Sequence, residues 1–116
     1  HVRLAELFES WVRADGRFEI LAPRVLNLIC FRLGPTSEVP DGPQNDARNR
    51  ALLNRLNASG RMYLTHTVLH RRERDGSSSP VFTLRLCVGS SATAEEHVRA
   101  AWGMIREAVE SETVSG

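Results

Sequence analysis

The spacing of the apolar residues changes repeatedly between the period of a helix and that of a strand. The first segment places apolar residues every three or four positions, which predicts an amphipathic helix over 1–15 with a stop at Gly16. Two short, mainly apolar stretches at 18–22 and 25–33 are typical of strands. Elements of these two kinds must bury their apolar sides against each other, so the pattern indicates a helix layer on a sheet.

Proline and glycine separate these elements from a second set. Residues 34–45 contain three prolines and two glycines, which predicts a long mobile loop. A second helix is expected over 46–59, with Asp46 as its N-cap and Gly60 at its end. The pattern then predicts a strand at 61–69, a polar turn at 71–80 and a last strand at 81–88.

The last helix is expected over 93–110, where Thr93 and Glu96 have the spacing of a capping box. The order of elements is therefore α-β-β-α-β-β-α, with no internal repeat. Strands joined by short polar turns favour antiparallel pairing. We therefore expect one α+β domain over residues 1–116, a two-layer small domain with a four-stranded antiparallel sheet and helices on one face.

The composition gives no sign of a nucleic-acid, membrane or metal partner. The net charge is +1, and no apolar run reaches the length of a membrane span. The four histidines have no metal-ligand spacing with the two cysteines. Cys30 and Cys87 lie in apolar runs, so we expect two reduced core thiols in a cytoplasmic protein.

All 15 basic residues are arginine, and the sequence contains no lysine. No side chain can therefore form a Schiff base with an aldehyde cofactor or act as a lysine base. The first residue is His1 rather than methionine, and it already lies in a helical pattern. The chain is therefore expected to be part of a longer protein.

Four stretches, in this order, resemble the C-terminal region of the group II pyridoxal-phosphate-dependent decarboxylases: HVRLAELFESWVRADGRFEI, VLNLICFRL, NRALLNRLNASGRMYLTHT and FTLRLCVGSSATAEEHVRAAWGMI. The chain is most similar to the aromatic-L-amino-acid decarboxylases, including the plant tyrosine and tryptophan decarboxylases. The resemblance covers nearly the whole chain apart from the 34–45 loop and the 71–80 turn.

The resemblance implies the C-terminal small domain of a fold type I enzyme, a cytoplasmic homodimer that decarboxylates aromatic L-amino acids to amines with pyridoxal phosphate. The large domain, which carries the Schiff-base lysine in this family, has no counterpart in the chain. The isolated chain is therefore expected to bind no cofactor covalently and to be inactive. Two alternatives stay open: an aromatic aldehyde synthase of the same family, and a free-standing, non-enzymatic α+β binding module.

Arg85 is the candidate site residue. It lies within FTLRLCV, where alternation places Arg85 and Cys87 on one strand face and the apolar residues on the other. A guanidinium in such a position requires solvent or an anionic partner. In the family that the chain resembles, an arginine at this position faces the active-site cleft, which implies a supporting catalytic role for Arg85.

The other polar candidates are interpreted as structural. His66 has no catalytic partner nearby in the sequence, although histidine titrates near neutral pH. The arginines of RRERD, residues 71–75, alternate with acidic residues and predict a solvated turn rather than a phosphate site. Trp11 and Trp102 lie on apolar helix faces and are expected in the core or at a domain interface.

Overall fold

The computed structural model describes residues 2–25, 27–58, 64–88 and 95–115. Three helices and four strands follow the predicted order: α1 Val2–Ala14, β1 Phe18–Ile20, β2 Leu28–Leu33, α2 Pro43–Ala58, β3 Thr65–Arg72, β4 Ser78–Cys87 and α3 Glu95–Ser115. The capping box predicted at Thr93 and the helix end predicted at Gly60 lie outside the described residues. No helix in the described part of the chain is long and apolar enough to cross a bilayer.

The strands form one antiparallel sheet in the order β1-β2-β4-β3, which confirms the predicted α+β fold. An aromatic cluster joins this sheet to the helices. The ring of Phe8 from α1 meets Phe31 of β2 edge-on at 5.6 Å between centroids, and Trp102 of α3 at 5.8 Å. Each such side chain contributes about 1.5–3 kcal/mol on burial, so this core holds the two layers together.

The second helix begins three residues earlier than the sequence predicted. Pro43 is its first residue, because a proline ring suits the first helical position, and Gly42 with φ of 116° turns the chain into it. The prediction that Asp46 is the N-cap is therefore wrong. The carboxylate of Asp46 accepts a hydrogen bond from the backbone N–H of Phe82 instead, at 3.2 Å. The preceding loop is shortened to residues 34–42, and its mobility stays a prediction.

The β3–β4 hairpin is longer than predicted, and the turn over 71–80 is correspondingly wrong. Pairing continues to Arg72 and Ser78, because backbone hydrogen bonds tolerate polar side chains on an exposed ladder. The turn itself spans residues 73–77, where Gly76 adopts φ of 90°. At the other end of the sheet, β2 starts at Leu28 rather than at residue 25, because Val25 and Leu28 bond to each other across a tight turn.

Where β4 separates from β2, side chains of helix α2 make the hydrogen bonds to the β2 backbone that a neighbouring strand would otherwise make. The register between these strands ends at the Phe31–Leu84 pair. Beyond it, the backbone N–H of Leu33 donates to Oδ1 of Asn49 at 2.8 Å. The Leu33 carbonyl accepts from the amides of Asn45 and Asn49, at 3.0 and 3.2 Å. Both asparagines are fully buried, so their amides satisfy backbone groups that would otherwise be left unpaired.

Candidate functional site on the outer face of the sheet

The sheet has a second face, the outer face, opposite the one on which the aromatic core packs. Arg85 lies there because its neighbours on β4, Leu84 and Leu86, point toward the core. The register places Cys30 of β2 on one side of Arg85 and Thr65 of β3 on the other. These three side chains therefore form one row across three strands.

The guanidinium of Arg85 is held by a hydroxyl and not by a carboxylate. Its Nε donates to Oγ1 of Thr65 at 3.0 Å, and the same hydroxyl donates to the Arg85 carbonyl at 3.4 Å. The side chain is half-buried, and no carboxylate in the described part of the chain lies within ion-pair distance of it. The described residues thus give the Arg85 guanidinium a hydroxyl partner but no compensating charge.

The two cysteines, Cys30 within this row and Cys87 next to it, are not core residues, contrary to the prediction. Cys30 is half-buried and Cys87 is exposed, because both alternate outward from the core face of their strands. Burial raises the pKa of the Cys30 thiol, and the nearby charge of Arg85 partly opposes this rise. Cys30 is therefore a neutral neighbour of Arg85 at physiological pH.

A second arginine on the outer face, Arg32, has a different environment. It is fully buried, and its NH2 lies 3.1 Å from Oδ1 of Asp46. Carboxylate oxygens of Glu19 and Asp41 lie 3.9 Å from its guanidinium nitrogens. Arg71 lies beside them and contacts both Glu19 and Asp41 at 2.7 Å. We call these five residues the charge cluster.

The sequence interpretation missed the charge cluster and misplaced one of its members. Arg71 was expected in a solvated turn, but it lies in β3, and its hydrogen bond to Glu19 raises the pKa of its guanidinium. Arg72 and Arg74 are exposed, as a solvated turn predicts. Arg32 stands in the apolar run VLNLICFRL, and a cation inside such a run was the signal that could have found it.

His66 and the tryptophans lie away from the Arg85 row. His66 is exposed and stacks on Phe82 with 4.9 Å between ring centroids, an arrangement without a catalytic partner among the described residues. Trp102 is buried in the core, as expected. Trp11 is partly buried beneath the guanidinium of Arg99, 5.0 Å from the ring centroid.

The residues of the chain do not fit a covalently held pyridoxal phosphate. The reaction that attaches this cofactor needs a lysine amine, and the sequence contains none. Arg85 and the other arginines of the outer face cannot replace the amine, because a guanidinium stays protonated. Among the described residues, no group of three or more His, Cys, Asp or Glu side chains could hold a metal ion. The outer face can therefore bind and orient an anion, but it offers no lysine amine for cofactor attachment.

Comparison with known proteins identifies relatives over almost the whole chain, although no family model matches it. Tryptophan decarboxylase TDC1 of Camptotheca acuminata is 42% identical over 106 residues, which cover 91% of this chain and 19% of the relative. The crystal structure of Oryza sativa TDC with pyridoxal phosphate and tryptamine has 38% identity and a TM-score of 0.82, covering 96% of this chain and 22% of that one. The chain is homologous to part of the plant aromatic-amino-acid decarboxylases.

The chain spans about one fifth of the length of these decarboxylases. The relatives of this chain also include an aldehyde synthase. The phenylacetaldehyde synthase of Arabidopsis thaliana is 39% identical over 107 residues, covering 92% of this chain and 20% of that protein. The decarboxylase resemblance expected from the sequence is therefore confirmed, with both enzyme types among the homologues.

Proposed function

We propose that the chain is the C-terminal small domain of a pyridoxal-phosphate-dependent enzyme that decarboxylates aromatic L-amino acids to amines. The observation that carries this proposal is the 42% identity to a tryptophan decarboxylase over 91% of the chain. The rest of the longer protein would hold pyridoxal phosphate, which supplies an electron sink for loss of carbon dioxide. The chain alone would be inactive, since it has no lysine to hold the cofactor.

In this enzyme we propose that Arg85 supports catalysis electrostatically. A guanidinium stays protonated at any working pH, so Arg85 cannot be a base, but it can hold a carboxylate through two parallel hydrogen bonds. A grip on the substrate carboxylate that is equally strong in the ground state would not speed its loss as carbon dioxide. We therefore favour pairing of Arg85 with a carboxylate of the catalytic loop over direct contact with the substrate.

Two further parts of the proposal concern assembly and location. We propose a homodimer, as the resemblance implies, in which the small domain packs against the large domain of the same enzyme. We also propose a cytoplasmic location. The support for it is that Cys30 and Cys87 are free thiols, which a reducing compartment would preserve.

The free-standing binding module is the less favoured alternative. A domain removed from a larger enzyme is expected to expose a large apolar surface where the rest of the enzyme packed. The large hydrophobic side chains most exposed in the described residues belong to three different parts of the chain: Val2 of α1, Val25 before β2 and Val68 of β3. An interface with a large domain would then be more polar than an obligate interface, as interfaces between domains of one chain are. The near-complete coverage by decarboxylase relatives is what favours the enzyme.

The test is to assay the full-length protein that contains this chain with L-tryptophan and L-tyrosine and to identify the products. We expect amines and carbon dioxide. Consumption of O2 and water, with release of aldehyde, carbon dioxide, ammonia and hydrogen peroxide, would select the aldehyde synthase. No turnover of either amino acid would reject the proposed function.

The role of Arg85 is tested by Arg85→Lys in the same protein, with Arg99→Lys on α3 as the matched control. Loss of the bidentate fork should cost about 1–3 kcal/mol of transition-state stabilisation, seen in kcat/KM. The Arg99 variant should retain parental activity, because Arg99 pairs with Glu95 on the surface of its own helix. Parental kcat/KM in a folded Arg85→Lys enzyme would make Arg85 a structural residue.

A further inference from the structure

The hydroxyl of Thr65 is fixed at both ends by Arg85. It donates its proton to the Arg85 carbonyl at 3.4 Å and accepts the Nε–H of the same residue at 3.0 Å. Because the proton is directed to the carbonyl, a lone pair of the oxygen faces the guanidinium. Thr65 and Arg85 are direct cross-strand partners, so this arrangement follows from the register of β3 and β4.

This contact uses one nitrogen of the guanidinium and leaves two. Neither NH1 nor NH2 of Arg85 has a hydrogen-bond partner in the described part of the chain, although the side chain is half-buried. A carboxylate that binds an arginine in the bidentate mode needs two parallel N–H donors in a fixed plane. Anchoring Nε fixes that plane before the carboxylate arrives, which reduces the conformational entropy lost on binding.

The charges near the row indicate what the free donors would bind. The outer-face neighbours of Arg85 on the three strands are neutral: Leu28, Cys30, Thr65, Thr67, Thr83 and Cys87. At the other end of the same face, Arg32 and Arg71 are surrounded by carboxylates of the chain itself. Within the described residues, Arg85 therefore has donors open to an anion, whereas Arg32 and Arg71 already have carboxylate partners.

We propose that Thr65 is a positioning residue that orients the guanidinium of Arg85 toward an incoming carboxylate. The proposal rests on the proposed function for the source of that carboxylate, which is either the substrate or an acidic side chain elsewhere in the longer protein. The hydroxyl is the essential group, so serine can replace threonine, whereas valine, with the same shape, cannot.

The experiment compares Thr65→Val, Thr65→Ser and Thr67→Val in the full-length holoenzyme. Thr67 is the matched control, because it lies two residues along β3 on the same face and is likewise a threonine. We expect Thr65→Val to lower kcat/KM about tenfold, and Thr65→Ser and Thr67→Val to stay within about twofold of the parent. In an Arg85→Ala background, Thr65→Val should cause no further loss, since it acts through Arg85.

The kinetic parameters separate the two sources of carboxylate. If Arg85 binds the substrate, Thr65→Val raises KM for the amino acid but leaves inhibition by the product amine, which has no carboxylate, unchanged. If Arg85 binds an acidic side chain of the protein, kcat falls and KM is retained. A loss of activity in Thr65→Val that is equally large in the Arg85→Ala background would overturn the proposal, because the effect would then not pass through Arg85.

A crystallographic readout keeps this test separate from the proposed function. In Thr65→Val the guanidinium of Arg85 should occupy more than one orientation, whereas Thr65→Ser should keep the parental one. A single, parental orientation in Thr65→Val would refute the positioning role, whether or not the protein is active. Absence of turnover in the parent would reject the proposed function but leave this structural comparison decisive.

Discussion

Arg32 and Arg85 occupy the same face of the same sheet, yet the partners of their guanidinium groups differ. Arg32 is fully buried, and the carboxylates of Glu19, Asp41 and Asp46 surround it. Arg85 is half-buried and has a threonine hydroxyl as its partner. Both residues are arginines within apolar runs of the sequence, so residue type and sequence context do not distinguish them.

The difference separates a cation that has carboxylate partners among the described residues from one that has none, and it supports the role proposed for Arg85. Removing a buried charge from water is costly unless the same chain supplies its counter-charge, and the charge cluster supplies carboxylates for Arg32. NH1 and NH2 of Arg32 nevertheless have no hydrogen-bond partner among the described residues, so the compensation is by charge. A partly exposed cation without an ion-pair partner among the described residues contributes little to stability, which leaves Arg85 available to an anionic partner. The presence of carboxylate partners within the chain, rather than burial alone, therefore distinguishes Arg32 from Arg85.

The largest expected effect that tests this comparison is on stability. Arg32→Ala should lower the free energy of unfolding by about 3–5 kcal/mol, because it leaves a cavity and uncompensated carboxylates. Arg85→Ala should lower it by less than about 1 kcal/mol, since no ion pair is lost. Urea denaturation of the two variants measures both values. Equal destabilisation by the two substitutions would mean that Arg85 is also part of the structural framework.

A smaller effect is expected at the edge of the charge cluster. Arg71→Met removes the contacts to Glu19 and Asp41 but keeps an apolar stem at this position, so it should cost about 1 kcal/mol. Because the Arg71 side chain is 32% exposed, the loss should shrink as salt is added. Arg72→Met, an exposed neighbour on the same strand, is the control and should change little. A loss that does not depend on salt would show that packing, and not charge, holds the hairpin there.

The smallest expected effect is a pH dependence at Cys30. Burial raises the pKa of this thiol in the folded state, so folding retains a proton that the unfolded chain releases. The resulting stability is fully present below the thiol's ordinary pKa and is lost as pH rises through the raised value. Arg85→Ala removes the charge that opposes this shift, so the Cys30 pKa should rise further.

Alkylation rates measured across pH, in a Cys87→Ser background, report the Cys30 thiolate. Arg99→Ala serves as the control, because Arg99 lies on α3 against Trp11. An unchanged titration in Arg85→Ala would place the guanidinium away from Cys30. That result would contradict the row in which Cys30, Arg85 and Thr65 are neighbours.

The sequence predicted the order and type of every element, because hydrophobic periodicity is a local property of the chain. It did not predict where pairing stops, since the ladder between Arg72 and Ser78 depends on backbone bonds that side-chain polarity does not report. Arg85 was identified from its place in a strand and from a family resemblance. The partner Thr65 was not, because it is 20 residues away and only the register brings the two together.

Helix α2 has a consequence for how this domain can change in evolution. Three polar side chains on its first turns, Asn45, Asp46 and Asn49, bond to the backbone of two different strands. A strand partner could vary in sequence freely, because its backbone would make the same bonds with almost any side chain. A helix in that place makes them with specific amides and a carboxylate. We therefore expect these three positions to be inherited together, as one unit that links a helix sequence to the geometry of a sheet.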